Sequence, residues 1–179
     1  MIYSALWDHF KTRPGDIVIA TYPKSGTTWM QRIVSLLLFQ SPEPVPLFQL
    51  SPWIEMRIIE PIKTVAARLA DQTHRRFVKT HLPLDGLPIY DEVKYIHVAR
   101  DGRDACMSYH NHCSAFTDHA LALMDKTGAE DPEVGGDYPR AGADPAAFFH
   151  TWLSRGAVAG HEDGSPHLSF FAFAQSYWD

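Results

Sequence analysis

A short segment rich in glycine, serine, threonine and lysine has the residue types and spacing of a phosphate-binding loop. It spans residues 21–29, Thr-Tyr-Pro-Lys-Ser-Gly-Thr-Thr-Trp, and lies between the β-branched run 17–19 and a helical pattern of apolar residues. A strand that turns at Pro23 and Gly26 and then enters a helix directs backbone N–H groups and the positive end of the helix dipole at one point. An ordinary capped turn is the alternative, but the complete string favours a nucleotide phosphate site with Lys24 as its cation.

The loop departs from the nucleoside-triphosphate pattern G-x-x-x-x-G-K-[ST], because Lys24 precedes the glycine and position 19 is Ile. This departure disfavours a kinase or an ATPase. The segment instead resembles the 5′-phosphosulfate loop of the cytosolic-type sulfotransferases, which take sulfonate from 3′-phosphoadenosine-5′-phosphosulfate (PAPS). The resemblance implies that the following residues bind the cofactor: Lys24, Ser25, Gly26, Thr27 and Thr28.

The segment 76–83, Arg-Phe-Val-Lys-Thr-His-Leu-Pro, resembles the catalytic segment of the same family. There the matching histidine removes the proton of the acceptor hydroxyl, and the lysine two positions earlier contacts the transferring sulfonate. The resemblance therefore assigns these roles to His81 and Lys79. Imidazole titrates near neutral pH, and a positioned general base contributes about 10²–10⁴-fold to the rate. One of ten histidines at a strand end is otherwise more often structural, so the surrounding motif carries this interpretation.

The segment 94–109 runs from an apolar strand into a helical pattern and resembles the 3′-phosphate segment of the family. Arg100 and Ser108 match the arginine and serine that bind the 3′-phosphate, which distinguishes PAPS from ordinary adenylates. Arginine suits this role because its planar fork holds two phosphate oxygens and stays ionised. A surface ion pair with Asp101 or Asp104 is the alternative, and for Arg103 we adopt it.

Trp29 matches the family tryptophan that stacks on adenine. Burial in the core is the alternative, and one ring face can serve each role. The helix that begins after the loop has apolar residues at helical spacing, which predicts a stripe packed against a sheet. The residues of that stripe are Met30, Ile33, Val34, Leu37 and Leu38.

Alternating strand and helix patterns predict an α/β fold of three layers, α/β/α, with a central parallel sheet and a P-loop-like phosphate-binding loop. The proposed chemical groups all follow strands, where such sheets place their ligands. We predict strands at 16–21, 76–80 and 93–99, and helices at 27–39, 53–70, 102–112, from Pro145 onward and at 168–178, with a proline-rich connection at 41–52 and a surface loop at 125–145.

Composition is that of a soluble globular protein: 45% of the 179 residues are hydrophobic. The net charge of −5 argues against a general nucleic-acid surface. Cys106 and Cys113 lack C-x-x-C spacing, which argues against a disulfide framework or a zinc site, and His110 and His112 point to different faces of a helix. We expect no metal. The N-terminus has neither an export leader nor a spanning segment, so we expect a cytoplasmic protein without membrane contact.

Members of the family are longer than this chain, which stops at Asp179 before the C-terminal loop that supplies further 3′-phosphate and adenine contacts. We therefore expect one sulfotransferase domain over residues 1–179, incomplete at its C-terminus. Its oligomeric state cannot be read from the sequence.

The resemblance implies in-line transfer of sulfonate from PAPS to a hydroxyl or amine of a small acceptor, with adenosine 3′,5′-bisphosphate (PAP) as product. Apolar residues that suggest an acceptor pocket are Phe48, Leu50, Trp53 and Phe116. Two alternatives stay open. One is a noncatalytic module that binds PAPS or PAP, and the other is a P-loop kinase.

Overall fold

A computed structural model describes residues 3–56, 58–130, 137–138, 140–155 and 169–178. The chain divides into two compact units, Ile2–Ala99 and Arg100–Asp179. No helix among the described residues is long and apolar enough to cross a membrane.

The first unit contains a parallel sheet whose strands, within its described residues, are ordered β2-β1-β3. Val18 of the central strand lies opposite Val78 on one side and Tyr95 on the other. The central strand is buried along its whole length, which explains its uninterrupted apolar run. The strands are β1 Ile17–Thr21, β2 Phe77–Thr80 and β3 Lys94–Val98.

Helices cover both faces of this sheet, because alternate strand residues contribute to two separate cores. On one face Val18 and Val78 pack with residues of a 3-10 helix, Ser4–His9, and of α3, Ile62–Asp71. On the other face Ile19 packs against residues of α1, Thr27–Phe39, and α2, Leu47–Leu50. A second 3-10 helix spans Leu84–Gly86. The predicted α/β fold with a central parallel sheet is confirmed.

The helix α1 has the predicted bounds, but its buried face differs from the predicted stripe. Val34 is 3% exposed, and Met30 and Leu38 pack against the core. Ile33 and Leu37 are 45% and 66% exposed, so their assignment to the buried stripe is wrong. Polar residues occupy part of the buried face instead. Gln31 donates hydrogen bonds to the carbonyl oxygen and hydroxyl of Ser51, at 2.7 and 2.9 Å.

The predicted helix at 53–70 is correct only in its second half, since α3 begins at Ile62. Trp53 instead forms a parallel bridge with Lys79, whose N–H donates to the Pro52 carbonyl at 3.0 Å. Pro61 then precedes the helix; proline has no N–H and disfavours helical conformation in the residue before it. The chain therefore pairs with β2 at Trp53 before helix α3 starts at Ile62.

The second unit contains four helices in its described part. Phe148 packs edge-on against Tyr109 and His110, with ring centroids 6.5 and 5.0 Å apart. The predicted surface loop at 125–145 is wrong for its first part, which is helical through residue 130; residues 131–136 and 139 lie outside the described residues. The predicted helices at 102–112, from Pro145 and at 168–178 are confirmed in position, with residue 168 outside the described residues. The helices are α4 Gly102–Ser114, α5 Asp118–Glu130, α6 Pro145–Arg155 and α7 Phe170–Ser176.

Candidate functional site

The connection from β1 to α1 has the backbone of an anion-binding loop. The Ser25 N–H donates to the Tyr22 carbonyl at 3.1 Å, which closes a tight turn. Lys24 and Gly26 have φ of +66° and +106°, in the left-handed region. Glycine adopts that region readily, whereas a lysine there carries a conformational cost that is typical of functional sites. Left-handed residues in such a turn direct successive N–H groups into one concavity.

The first turn of α1 presents hydrogen-bond donors to this concavity. Gly26 is the N-cap, and no side chain caps the helix. The first four N–H groups of a helix lack intrahelical acceptors, so an uncapped N-terminus favours an anion. The Ser25 hydroxyl adds a second observation: Ser25 is 4% exposed, and its Oγ has no hydrogen-bond partner among the described residues. A phosphate oxygen would supply the acceptor that this hydroxyl lacks.

Thr21, at the end of β1, connects the loop to the predicted catalytic histidine. Its Oγ1 lies 2.6 Å from the Oγ1 of Thr27, and its carbonyl oxygen lies 2.7 Å from His81 Nδ1. A carbonyl oxygen only accepts, so Nδ1 donates and carries the proton of the neutral ring. The lone pair of the neutral imidazole is therefore on Nε2. The structure thus brings His81 together with the loop residues, and in the tautomer that a base acting through Nε2 requires.

His81 is neutral at physiological pH. Burial lowers the pKa of its imidazole to about 4; the hydrogen bond to the Thr21 carbonyl acts in the opposite direction, and the charge of Lys79 lowers the pKa further. The ring is 7% exposed and contacts Trp53 edge-on, with centroids 4.7 Å apart. A neutral imidazole with its Nδ1 proton already bound can accept a proton only at Nε2.

Lys79 lies on β2, two residues before His81, and its Nζ lies 5.7 Å from the centroid of the Trp53 ring. Burial lowers the pKa of its ammonium; the charge of Lys24 lowers it further, while the carboxylate of Glu55 raises it. The two lysines therefore repel each other in the absence of a ligand. An anion between them would relieve that repulsion.

Glu55 belongs to the site, although the sequence interpretation did not include it. Its side chain is fully buried, and Oε1 accepts from the His81 N–H at 2.6 Å and from the Thr80 hydroxyl at 2.9 Å. Burial raises the pKa of this carboxyl, and the bond from His81 acts in the opposite direction. A possible signal was the acidic residue within the apolar Trp53-Ile54-Glu55 segment, but a predicted helix there would have placed it on a solvated face.

Trp29 lies on the first turn of α1 with 79% of its surface exposed. Burial in the core is therefore wrong for this ring. A large exposed indole beside this loop leaves a face available for a planar ligand. Thr28, the residue before it, is exposed as well, whereas Thr27 is buried.

Arg100 and Ser108 belong to the second unit. Arg100 forms a long ion pair with Asp104 at 3.8 Å, and its side chain is 40% exposed. Ser108 lies half-buried on α4. Arg103 donates to both carboxylate oxygens of Asp101, at 3.1 and 2.9 Å, and this pair lowers the pKa of Asp101 to about 2. The surface ion pair expected for Arg103 is confirmed.

Comparisons with known proteins agree on one family. The family model described as the sulfotransferase domain matches residues 14–161. A glycolipid sulfotransferase of Mycobacterium tuberculosis (strain ATCC 25618 / H37Rv) is 54% identical over 103 residues, which cover 57% of this chain and 31% of that protein. Mouse sulfotransferase 1B1 is 37% identical over 118 residues, which cover 58% of this chain and 37% of that protein.

Two solved structures share the fold. Mouse sulfotransferase SULT7A1 complexed with PAP superposes with a TM-score of 0.56 at 20% identity, covering 97% of this chain and 50% of that one. Retinol dehydratase in a complex with retinol and PAP gives a TM-score of 0.58 at 22% identity, covering 97% and 53%. The chain thus spans about a third of the length of these curated relatives and about half of these solved chains.

Proposed function

Because this chain belongs to the sulfotransferase family, we propose that it transfers a sulfonate group from PAPS to a hydroxyl or amine of a small acceptor. The observation that carries the proposal is the hydrogen-bonded connection from the loop through Thr21 to His81. It supports an anion site and a neutral base that act on the same bound molecule.

The loop residues have the donors that a 5′-phosphosulfate needs. The N-terminus of α1 has no side-chain cap, and the buried Ser25 hydroxyl has no hydrogen-bond partner among the described residues. Charge-assisted hydrogen bonds of this kind contribute about 1.5–3 kcal/mol each. We assign the 5′-phosphate to Ser25, Gly26, Thr27 and Thr28, with Lys24 as the neighbouring cation. The two solved structures named above contain PAP, which supports this choice of nucleotide.

PAPS supplies an activated sulfonate whose sulfur is attacked by the acceptor oxygen or nitrogen while the bond to the phosphate oxygen breaks. His81 Nε2 takes the acceptor proton, and the resulting imidazolium keeps its Nδ1 bond to the Thr21 carbonyl. Lys24 and Lys79 stabilise the negative charge on the phosphate and the sulfonate; preorganised charges of this kind dominate many enzymatic rate enhancements. The proposed transfer is in-line and uses no covalent enzyme intermediate and no metal.

We assign the 3′-phosphate to Arg100 and Ser108, and the adenine to Trp29. The Arg100 guanidinium is 40% exposed, and its ion pair with Asp104 is long, at 3.8 Å, so a phosphate can replace this carboxylate at small cost. Trp29 offers an exposed ring for stacking. These contacts would set the preference for PAPS over ATP and AMP.

The acceptor is a small, apolar molecule in this proposal. Trp53 contacts both His81 and Lys79 and gives the site an apolar wall. Glycolipids come first among acceptors to be tested, since a relative at 54% identity is named a glycolipid sulfotransferase. Phenols, steroids and other lipid alcohols complete the panel. We also propose a cytoplasmic location.

Calorimetric titration of the purified protein with PAP, AMP and Mg-ATP, followed by a radiolabelled PAPS transfer assay over the acceptor panel, tests the proposal. We expect PAP to bind more tightly than AMP and label to move from PAPS to an acceptor without added metal. Binding without transfer would favour a noncatalytic module. Magnesium-dependent ATP hydrolysis with no affinity for PAP would contradict the proposal and favour a kinase.

A further inference from the structure

We propose that Glu55 is a positioning residue that fixes the strand end carrying Lys79 and His81. The inference rests on the proposed function for the roles of those two residues. The geometry behind it lies within the first unit and involves side chains that pack in the core.

Glu55 is a fully buried acid whose bonds all come from donors. Besides Thr80 and His81, the Nε1 of Trp7 donates to its second oxygen, Oε2, at 3.3 Å. A carboxylate accepts at both oxygens and donates at neither, so donors at both Oε1 and Oε2 fit the ionised form. Burial of a carboxylate opposes folding, and this one is placed where Thr80 and His81 of the proposed catalytic segment both donate to Oε1.

The hydrogen bonds continue through that segment. Thr80 donates to Glu55 through Oγ1, and the same oxygen accepts from the Leu82 N–H at 3.0 Å. The backbone N–H groups of His81 and Leu82 therefore both depend on Oε1 of Glu55. The His81 N–H donates to it directly, and the Leu82 N–H donates to the Thr80 hydroxyl that is bonded to it. A change at Glu55 would release the backbone on both sides of the His81 Cα.

Two independent anchors thus define the position of His81. Glu55 holds its backbone N–H at 2.6 Å, and the Thr21 carbonyl holds its ring at 2.7 Å. The Lys79 N–H, two residues before His81, donates to the Pro52 carbonyl and so fixes the same end of β2. With the backbone anchor removed, the ring contacts with Thr21 and Trp53 hold Nε2 less precisely. Displacements of about 1 Å can cost about 10²-fold in rate.

The charge of Glu55 has a second effect on the same segment. It counteracts both burial and the repulsion from Lys24, which lower the pKa of the Lys79 ammonium. Glu55→Gln keeps the shape of the side chain but removes this charge and turns an amide donor toward an existing donor. We therefore expect the alkaline limb of the pH profile of kcat to move to lower pH in this variant.

The test compares variants around one carboxylate. Thr80→Val removes the hydroxyl at nearly constant shape, and Thr80→Ser keeps it. Trp7→Phe removes the donor to Oε2, and Trp7 itself lies outside the proposed catalytic segment. Glu60→Gln is the control for charge, because Glu60 pairs with Arg68 at 2.7 Å in a partly exposed position.

We expect Glu55→Gln and Thr80→Val to lower kcat by about 10- to 100-fold with KM for PAPS changed by less than about threefold. Thr80→Ser, Trp7→Phe and Glu60→Gln should keep kcat within about threefold, although Trp7→Phe lowers thermal stability. Equal losses of kcat in Trp7→Phe and Glu55→Gln would show a merely structural role and overturn the proposal. If Glu55→Gln does not fold, the kcat of Thr80→Val tests the proposal instead.

A readout that needs no turnover separates this proposal from the proposed function. NMR of the isotopically labelled protein follows exchange of the His81 and Leu82 amides and titration of Lys79 Nζ. Glu55→Gln should speed that exchange by at least tenfold relative to amides of β1 and lower the Lys79 pKa. Unchanged exchange and unchanged titration would overturn the role of Glu55. If the unmodified protein showed no PAPS-dependent transfer, the proposed function would be wrong. The NMR comparison would still test the role of Glu55.

Discussion

The loop between β1 and α1 and the segment that leads from Arg100 into α4 both carry proposed phosphate ligands, but the two regions differ in exposure and hydrogen bonding. Thr21, Thr27 and His81 are each less than a tenth exposed and are joined by hydrogen bonds of 2.6 and 2.7 Å. Arg100 and its partner Asp104 are 40% and 68% exposed and 3.8 Å apart. The first region is arranged before a ligand arrives, whereas the second presents a more exposed side chain with a longer ion pair.

This difference matches the two tasks in the proposed reaction. Groups that meet developing charge contribute most when they need no reorganisation at the moment of reaction. Groups that only discriminate one nucleotide from another need an energetic difference, which an exposed arginine can supply. Removing a group from the first region should therefore affect the rate, and removing one from the second should affect affinity.

The largest effect is expected for His81→Ala. Loss of the general base should lower kcat by about 10²–10⁴-fold, while the dissociation constant for PAP changes by less than about threefold, because the phosphate loop is intact. Single-turnover transfer and calorimetry measure the two quantities. His119→Ala, at an exposed position on α5, is the matched control. Turnover by His81→Ala at the unmodified rate would refute its role as the base.

Acid titration of stability should reveal the burial of His81 directly. The imidazole pKa is about 4 in the folded protein against 6.5 for an ordinary histidine. The unfolded chain therefore binds more protons between these values, so stability falls as pH decreases from about 6.5 toward about 4, by up to about 3 kcal/mol. Urea unfolding of the unmodified protein and of His81→Asn, measured at several pH values, isolates the contribution of His81, since the other groups titrate equally in both proteins. Parallel stability curves for the two proteins would contradict a buried, neutral His81.

Arg100→Ala should produce a smaller effect, and this effect should change the selectivity for PAP over AMP. Loss of a charge-assisted contact to the 3′-phosphate should weaken PAP binding by about 10- to 100-fold and leave AMP binding unchanged, because AMP lacks that phosphate. Arg103→Ala is the matched control, since Arg103 also lies at the start of α4 but is already paired with Asp101. Calorimetry with both nucleotides provides the measurement. Equal weakening of PAP and AMP by Arg100→Ala would remove the 3′-phosphate assignment.

The same contrast separates what the sequence predicts from what it does not. The loop and α1 follow from local signals: a β-branched strand, Pro23, Gly26 and a helical apolar pattern set their bounds within the chain itself. Trp53 and Glu55 depend on a partner that is distant in sequence, the strand β2. Periodicity does not detect such a pairing, so it predicts a helix for this segment and does not indicate that its acid is buried. The exposed Ile33 and Leu37 show the same limit, because a helical stripe does not specify which apolar residues reach a partner.

Trp29→Ala tests the smallest contribution and the role of exposure. A tryptophan that belonged to the core would cost about 3–5 kcal/mol of stability on truncation to alanine. Trp29 is 79% exposed, so we expect the melting temperature to stay within about 2 °C. Stacking on a base contributes about 1–3 kcal/mol, and the lower value applies to a ring open to solvent, which corresponds to about fivefold weaker PAP binding. Trp29→Phe should recover part of that loss, since a smaller aromatic face still stacks. A loss of stability without a loss of affinity would show that the ring packs within the protein and does not contact adenine.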